Sequence, residues 1–407
     1  MLNPKTNQRE LAYVVKIDEI IPIEGADRVE TALVGGWRVM VRKDQFKKGD
    51  LAIYLEIDSK VPETEPFLFL APKNFKVKTQ KYFKGKVISQ GLLMSPGDFG
   101  WHTWQMEDGE PEISVGHYAY KVGDFLTEKL GITYAEAEDN KRKANSADKY
   151  KLMAQRNGKL FSKQPFRWLM KRNWGKKLLF VFFGRKKDKK NGWPAWVIKT
   201  DEERCQNMPW LFPGNPDEEW VATEKVDGTS TTFTMKRDKK KFDFYVCSRN
   251  VVFDKPEKEC YYDTNVYLEM AEKYKIESVL KAILLEHPDL SFVTIQGETY
   301  GEGVQKRDYG IKGHDFKAFN AIFGFKEGVR RLNPIELRKF LIPLGIPCID
   351  IVDEHFIIPA TCDELLAAAG GASAIDGGMR EGLVFRSYDG VKSFKAVDNN
   401  FLLKYHG

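Results

Sequence analysis

Alternation of apolar and polar positions dominates the first third of the chain. Over 37–43, Trp37, Val39 and Val41 fall on one side and Arg38, Met40 and Arg42 on the other. A period of two predicts a half-buried strand, with Met40 the one apolar residue on its polar side. Residues 11–17 are apolar and β-branched, a KKGD turn at 47–50 precedes a strand candidate at 51–57, and 87–93 predicts a further strand. Short strands, glycine-rich turns and no long helix predict a small closed β-barrel over 1–135, with a β-sandwich as the alternative.

After residue 195 both periods occur. Strands are expected at 231–233 and 242–246, where Phe242, Phe244 and Val246 share a face. Leu268, Ala271, Ile276, Val279, Leu280 and Ile283 recur at three- and four-residue spacing, which predicts one helix over 265–286. Asn333 before Pro334 reads as the start of a helix over 334–341. Thr361 and Glu364 form a capping box, and Gly370 and Gly371 end the helix it opens. Residues 195–407 thus read as a second, α+β domain. Residues 136–159 carry many charges and almost no large apolar side chain, so 136–194 begins as a solvated linker or insertion. No internal repeat is present.

A length of 407 residues suits two or three domains, and 42% hydrophobic with 13% aromatic residues excludes disorder throughout. The net charge of +6 is distributed unevenly. Between Lys163 and Lys190 lie eleven lysines and arginines and a single acid, Asp188. Phe166, Trp168, Leu169, Trp174, Leu178, Leu179 and Phe182 are interleaved with them. A packed connector and a nucleic-acid surface both fit that pattern. Five scattered cysteines with no CxxC pair, and only six histidines, argue against a zinc cluster or a disulfide framework. No signal-peptide core or membrane-length apolar run is seen. A soluble protein of a reducing compartment, the cytoplasm, is expected.

The sharpest chemical signal is VATEKVDGTS at 221–230, a lysine next to an acid–glycine turn just ahead of a strand. Alone, such a turn is ordinarily surface. Four further segments change that reading: SRN at 248–250, QGETYG at 296–301, EGLVFR at 381–386 and FK at 394–395. Together they supply a lysine nucleophile, two acids at strand edges, an arginine and a second lysine. These are the groups a nucleotidyl transfer needs: cations offset phosphate charge, and carboxylates hold Mg2+ and ribose hydroxyls.

The order and spacing resemble the covalent nucleotidyltransferase superfamily of nucleic-acid ligases and capping enzymes. KVDGTS is similar to its motif I, SRN to motif Ia, GETYG to motif III, FNAIF at 319–323 to motif IIIa, EGLVFR to motif IV and FK to motif V. Only 12 residues follow Lys395, too few for the trailing barrel expected of DNA ligases and capping enzymes, and the zinc cysteines expected of NAD-dependent ligases are lacking. PIEGAD at 22–27, KKGDLAIYLEIDSKVPE at 47–63 and SQGLL at 89–93 resemble the leading OB domain of the ATP-dependent RNA ligases of the Deinococcus and Naegleria type. KTDEERCQN at 199–207 resembles their pre-motif segment, with Arg204 lying 21 residues before Lys225.

The resemblance implies an α+β chain: an N-terminal OB-fold β-barrel followed by an adenylyltransferase (ATP-grasp-like ligase) domain of antiparallel sheets and helices. It implies that Lys225 attacks the α-phosphate of ATP and carries AMP. Asp227 and Glu381 would serve the metal, Glu298 the ribose hydroxyl and Lys395 the α-phosphate. Arg249 and Arg204 would meet pyrophosphate or an incoming 5′-phosphate, Phe319 would stack on adenine, and Glu224 would read its amino group. Gln305, Lys306 and Tyr309 are further candidates for substrate contact, and Lys404 for the second basic residue of motif V. The implied cofactors are ATP and Mg2+, with Mn2+ able to substitute. The implied partner is a nicked duplex with an RNA 3′-OH end, sealed by a monomer without a membrane. The alternatives are an ATP-dependent DNA ligase or capping-type guanylyltransferase, and a non-catalytic RNA-binding protein.

Overall fold

The computed structural model describes residues 1–6, 8–104, 109–135, 163–183, 193–199, 201–253 and 265–405. The linker expected over 136–159 and the last part of the basic stretch, 184–190, lie outside them. Contacts divide the chain into one unit of Met1–Ile57, Lys78–Thr127 and Gly192–Gly407 and another of Asp58–Val77 and Glu128–Asn191.

The first unit opens with short antiparallel strands: β1 (Ala12–Lys16), β2 (Glu19–Pro22), β3 (Val29–Val34), β4 (Trp37–Arg42), β5 (Leu51–Leu55), β6 (Gln80–Tyr82), β7 (Val87–Ser89), β8 (Leu92–Met94), β9 (His102–Trp104), β10 (Glu112–Val115) and β11 (Tyr118–Tyr120). They form sheets in the orders β1–β5–β8, β2–β3–β4, β6–β7 and β9–β10–β11. The barrel-like core gathers Tyr13, Val34, Trp37, Val39, Val41, Tyr54 and Leu93. Along β4, Trp37, Val39 and Val41 are buried while Arg38 and Arg42 are exposed, as the alternation predicts. The single strand expected at 87–93 is instead two. Gly91 takes a φ of +94°, and a Cβ there would lie 2.5 Å from the Tyr54 ring. The Tyr54 hydroxyl donates to the Gln90 carbonyl at 3.0 Å, so the chain turns over the ring, which only glycine permits.

In the second unit the two-residue strands Ser59–Lys60 and Thr133–Tyr134 pair antiparallel. Two helices, α1 (Gln164–Met170) and α2 (Asn173–Phe183), occupy the start of the basic stretch.

The remainder of the first unit is built on two antiparallel sheets. Its strands are β12 (Glu219–Lys225), β13 (Thr229–Asp238), β14 (Lys241–Cys247), β15 (Val252–Phe253), β16 (Phe292–Gly301), β17 (His314–Gly324), β18 (Val329–Arg331), β19 (Ile351–Ile357), β20 (Gly382–Ser387) and β21 (Ser393–Val397). The larger sheet runs β15–β14–β13–β16–β17–β18 and the smaller β19–β12–β20–β21. The helices are α3 (Val266–Lys273), α4 (Ile276–Glu286), α5 (Pro334–Leu341), α6 (Cys362–Ala369) and α7 (Asn399–Tyr405). Phe233, Val293 and Ile295 of the larger sheet share a core with Leu280, Leu284 and Leu337. Trp220, Phe385 and Phe394 of the smaller sheet pack with Leu365 of α6.

The helix expected over 265–286 is broken in two. Lys275 adopts a φ of +50°, which interrupts the hydrogen-bond ladder between α3 and α4. Both halves keep their apolar residues on the same core, so the spacing persists across the break. The capping boxes at Asn333 with Glu336 and at Thr361 with Glu364 are both formed.

Candidate active site

Strand β12 runs between β19 and β20 and ends on Lys225. The turn that follows is tightly held. A Cβ on Gly228 would lie 2.4 Å from the Thr299 carbonyl oxygen, so glycine is required for the turn to rest against β16. The Asp227 backbone N–H donates to the Tyr309 hydroxyl at 2.6 Å, and Gln305 Nε2 donates to the Gly228 carbonyl at 3.0 Å. Tyr309 is itself buried, with the Arg307 guanidinium 4.3 Å above its ring and Arg307 paired to Asp376 at 2.5 Å. Tyr309 therefore supports the turn that follows Lys225, a role the sequence does not suggest.

Sheet register assembles the charged groups. Lys225 pairs with Gly382 and Val384 with Lys395, so Lys225, Glu381 and Lys395 converge across three adjacent strands. Lys225 Nζ donates to Glu381 Oε2 at 2.7 Å. Ser230 pairs with Glu298, which brings a second carboxylate from the larger sheet. Arg204 bridges to Lys395 through the backbone, and its guanidinium lies 5.9 Å from the Trp37 ring of the barrel. A cavity of about 330 Å³ is lined by Lys225, Glu224, Arg249, Glu298, Phe319 and Lys395, among others. Lys306 and Lys404 are not among its lining residues.

A comparison with protein families matches residues 218–406 to an RNA ligase model and residues 11–96 to an OB-fold domain model. Residues 218–406 belong to the RNA ligase family. Among solved structures, the chain is similar to Naegleria gruberi RNA ligase with PPi, at 25% identity and a TM-score of 0.62 over 98% of this chain and 99% of that one. A mutant of the same ligase with ATP and Mn matches at 26% identity and a TM-score of 0.63, over 98% and 100% of the two chains. Another mutant with AMP and Mn matches at 25% and 0.62, over 98% and 99%. No curated protein sequence matches the chain. Among the described residues, no helix is long and apolar enough to cross a membrane.

Electrostatics in the ligase site are dominated by burial. Burial pulls the Lys225 ammonium toward neutrality. Glu381, Glu298 and Asp227 outweigh it and hold its pKa above the ordinary lysine value. Burial pushes Glu298 up to about 8, with Lys225 opposing and Glu381 and Asp227 reinforcing the shift. Burial and the nearby Lys225 and Arg204 charges bring Lys395 down to about 8. Arg204 is lowered chiefly by its burial, against the pull of Glu381.

Two acids were missed by sequence reasoning. Asp201 accepts from Arg249 Nη2 at 2.7 Å and lies 3.6 Å from Lys395 Nζ, so it sits between two cations expected to hold phosphate. Glu202 accepts from both Arg386 and Arg331 at 2.9 Å and from the Ser393 hydroxyl. Burial raises its pKa, but the two guanidiniums overcome that and hold it down to about 2. The one available signal was their place beside Arg204 in the DEER run, which reads as solvated charge. Glu224 is buried, and its carboxylate accepts from Ser373 Oγ at 2.5 Å and from the Ala374 N–H at 2.7 Å. Phe319 lines the cavity and packs against the cluster of Val226, Tyr300, Tyr309 and Ile349.

Among the described residues, no group of three or more His, Cys, Asp or Glu side chains is placed to hold a metal. Glu381 and Asp227, both close enough to Glu298 to raise its pKa, suit Mg2+, which binds through one or two carboxylates together with water and substrate phosphates. The high pKa of Glu298, raised in part by Glu381 and Asp227, marks a crowded carboxylate cluster that a divalent cation would relieve.

Proposed function

We propose that this RNA ligase seals nicks in a duplex, joining an RNA 3′-OH end to a 5′-phosphate in RNA repair. The enzyme is an ATP-dependent RNA ligase that works through a covalent lysyl-nucleotide. The observation that carries the reading is Lys225 at the end of β12, hydrogen-bonded to Glu381 and facing a cavity that Arg249 and Lys395 also line.

In the first step Lys225 Nζ attacks the α-phosphorus of ATP. The ammonium first gives up a proton to solvent; a phosphorus–nitrogen bond then forms as the nitrogen loses its second proton to solvent, the bond to the β-phosphate oxygen breaks, and pyrophosphate leaves. Glu381 orients the amine, and Lys395 and Arg249 offset charge on the phosphates, with Arg204 behind them. Glu298 addresses the ribose, Phe319 stacks on adenine, and Glu224 reads the adenine edge. Mg2+, or Mn2+ in its place, would be held by Glu381 and Asp227 and would supply positive charge that stabilises the reacting phosphate and favours the neutral amine. AMP then passes to a 5′-phosphate, and attack by a 3′-hydroxyl releases it.

The proposed organisation is an OB-fold domain over 1–135, an insertion over 136–194 and the ligase domain over 195–407. The OB-fold domain would track the duplex backbone. A monomer in the cytoplasm is proposed, on the strength of scattered cysteines and both modules lying in one chain.

Incubation with α-labelled ATP and Mg2+ tests the first step: the protein is expected to become covalently labelled, and Lys225→Ala is not. Label retained by that variant would place the nucleophile elsewhere. Nicks with one ribonucleotide moved through the 3′ strand test the substrate, and equal sealing of an all-DNA nick would remove the RNA preference.

A further inference from the structure

The start of the basic stretch forms a helical hairpin whose surface the ligation chemistry leaves unexplained. Helices α1 and α2 meet at Gly175, where a Cβ would lie 2.2 Å from the Leu169 carbonyl oxygen. This close approach brings Trp168 and Trp174 together, with ring centroids 6.1 Å apart and planes at 82°. Both rings remain about half exposed, at 50% and 53%. The Arg172 guanidinium lies 4.1 Å from the Trp168 ring. Arg167, Lys171 and Arg172 are exposed on the same hairpin, and no acid occurs anywhere from 163 to 183.

Large rings left in water are costly unless something covers them. An acid-free cationic surface selects a polyanion as the cover. Aromatic faces set among arginines and lysines are the combination that holds unpaired nucleic acid: bases stack on the rings while the cations meet the backbone. We propose that the Trp168–Trp174 hairpin is a binding platform for single-stranded RNA. The proposal rests on the RNA-ligase reading for its choice of RNA. A membrane surface would favour an apolar face kept clear of cations. Here Arg172 lies against an exposed ring, and Lys171 and Arg167 are close to it in sequence.

The test uses the full chain and a fluorescein-labelled single-stranded oligouridylate, followed by anisotropy over a range of salt. W168A/W174A is expected to weaken binding about tenfold with the salt dependence retained, because stacking has been lost. W168F/W174F is expected to restore most of the affinity, which a folding defect would not allow. K171A/R172A is expected to flatten the slope of log affinity against log salt by about 0.7 for each cation removed. Unchanged RNA affinity in both alanine variants would overturn the proposal. So would unchanged RNA affinity with loss of binding to phosphatidylserine vesicles, which would make the hairpin a membrane contact. Labelling by ATP is read in parallel and is expected to persist in every hairpin variant. Failure of the wild-type chain to label would remove the ligase reading, while a tenfold loss of RNA affinity would still stand for the platform.

Discussion

Lys225 Nζ and Glu381 Oε2 are 2.7 Å apart, so the proposed nucleophile of this ligase is held as a charged ammonium by one of its proposed metal-binding carboxylates. Glu381 is the foremost influence raising the Lys225 pKa, against burial, which lowers it. Glu381→Gln should therefore release the lysine. Its pKa is expected to fall, because the adjacent opposite charge that most raises it is gone. Acetylation of Lys225 by a small reagent, followed by peptide mass across a pH series, measures this without requiring catalysis. An unmoved midpoint would show that Glu298 and Asp227 alone sustain the charge.

Glu298 offers a pH test of stability. Its pKa in the fold is about 8, against an ordinary value of 4.5. The folded state thus retains a proton that the unfolded chain releases. Stability is fully present below the ordinary value and falls as pH rises toward 8, by up to about 1.4 kcal/mol per pH unit. Glu298→Gln mimics the protonated form. Its thermal midpoint is expected to match the wild type at about pH 4 to 5 and to exceed it at about pH 8 to 9. Parallel pH curves for the two proteins would mean that Glu298 is ionised in the fold.

Asp201 lies where phosphate would be welcome, against Arg249 and near Lys395. An exposed carboxylate in that place competes with a bound anion for the same cations. Asp201→Asn keeps the shape and removes the competing charge. Pyrophosphate should bind about two- to fivefold more tightly, the range set by a solvent-exposed ion pair worth less than about 1 kcal/mol. Calorimetric titration of pyrophosphate measures it, and weaker binding in the variant would show that Asp201 positions the cations instead.

Much of this site was legible because its residues sit in short, glycine-marked frames. Lys225, Glu298 and Lys395 lie in strands and Glu381 just ahead of one, and antiparallel register sets their places within each sheet. What escaped notice depends on contacts over long separations. Glu202 reads as one of a run of exposed acids until Arg331 and Arg386, far along the chain, bury it between them. The break at Lys275 is invisible to spacing because α3 and α4 face one core. The split between β7 and β8 turns on Gly91 meeting Tyr54, a fit no local pattern records.

Glu202 also carries a stability prediction. Two guanidiniums and a hydroxyl converge on it, with Arg386 only 2% exposed. Glu202→Ala leaves a buried cation without its counter-charge, which costs about 3 to 5 kcal/mol. Denaturant unfolding should show that loss near neutral pH. The folded pKa of about 2 against an ordinary 4.5 means that the wild-type advantage is present above 4.5 and disappears as pH falls through 2. The wild-type and variant curves should therefore converge in acid, and a gap that persists there would assign the loss to packing.

Tyr309 separates positioning from chemistry. Its hydroxyl accepts the Asp227 N–H at 2.6 Å, two residues from the Lys225 amine, and its ring is fixed by Arg307 and Asp376. Tyr309→Phe keeps the ring and the Arg307 contact while leaving a buried N–H with no acceptor from this side chain. Loss of such an acceptor costs about 1 to 3 kcal/mol. If the hydrogen bond serves mainly to set the turn, the rate of lysyl-nucleotide formation at saturating ATP should fall about tenfold, with little change in the ATP concentration giving half the maximal rate, because Tyr309 packs behind Val226, Phe319 and Ile349 and does not itself line the cavity. Single-turnover labelling across ATP concentrations measures both quantities. A raised half-saturating concentration with an unchanged maximal rate would instead make Tyr309 part of nucleotide binding.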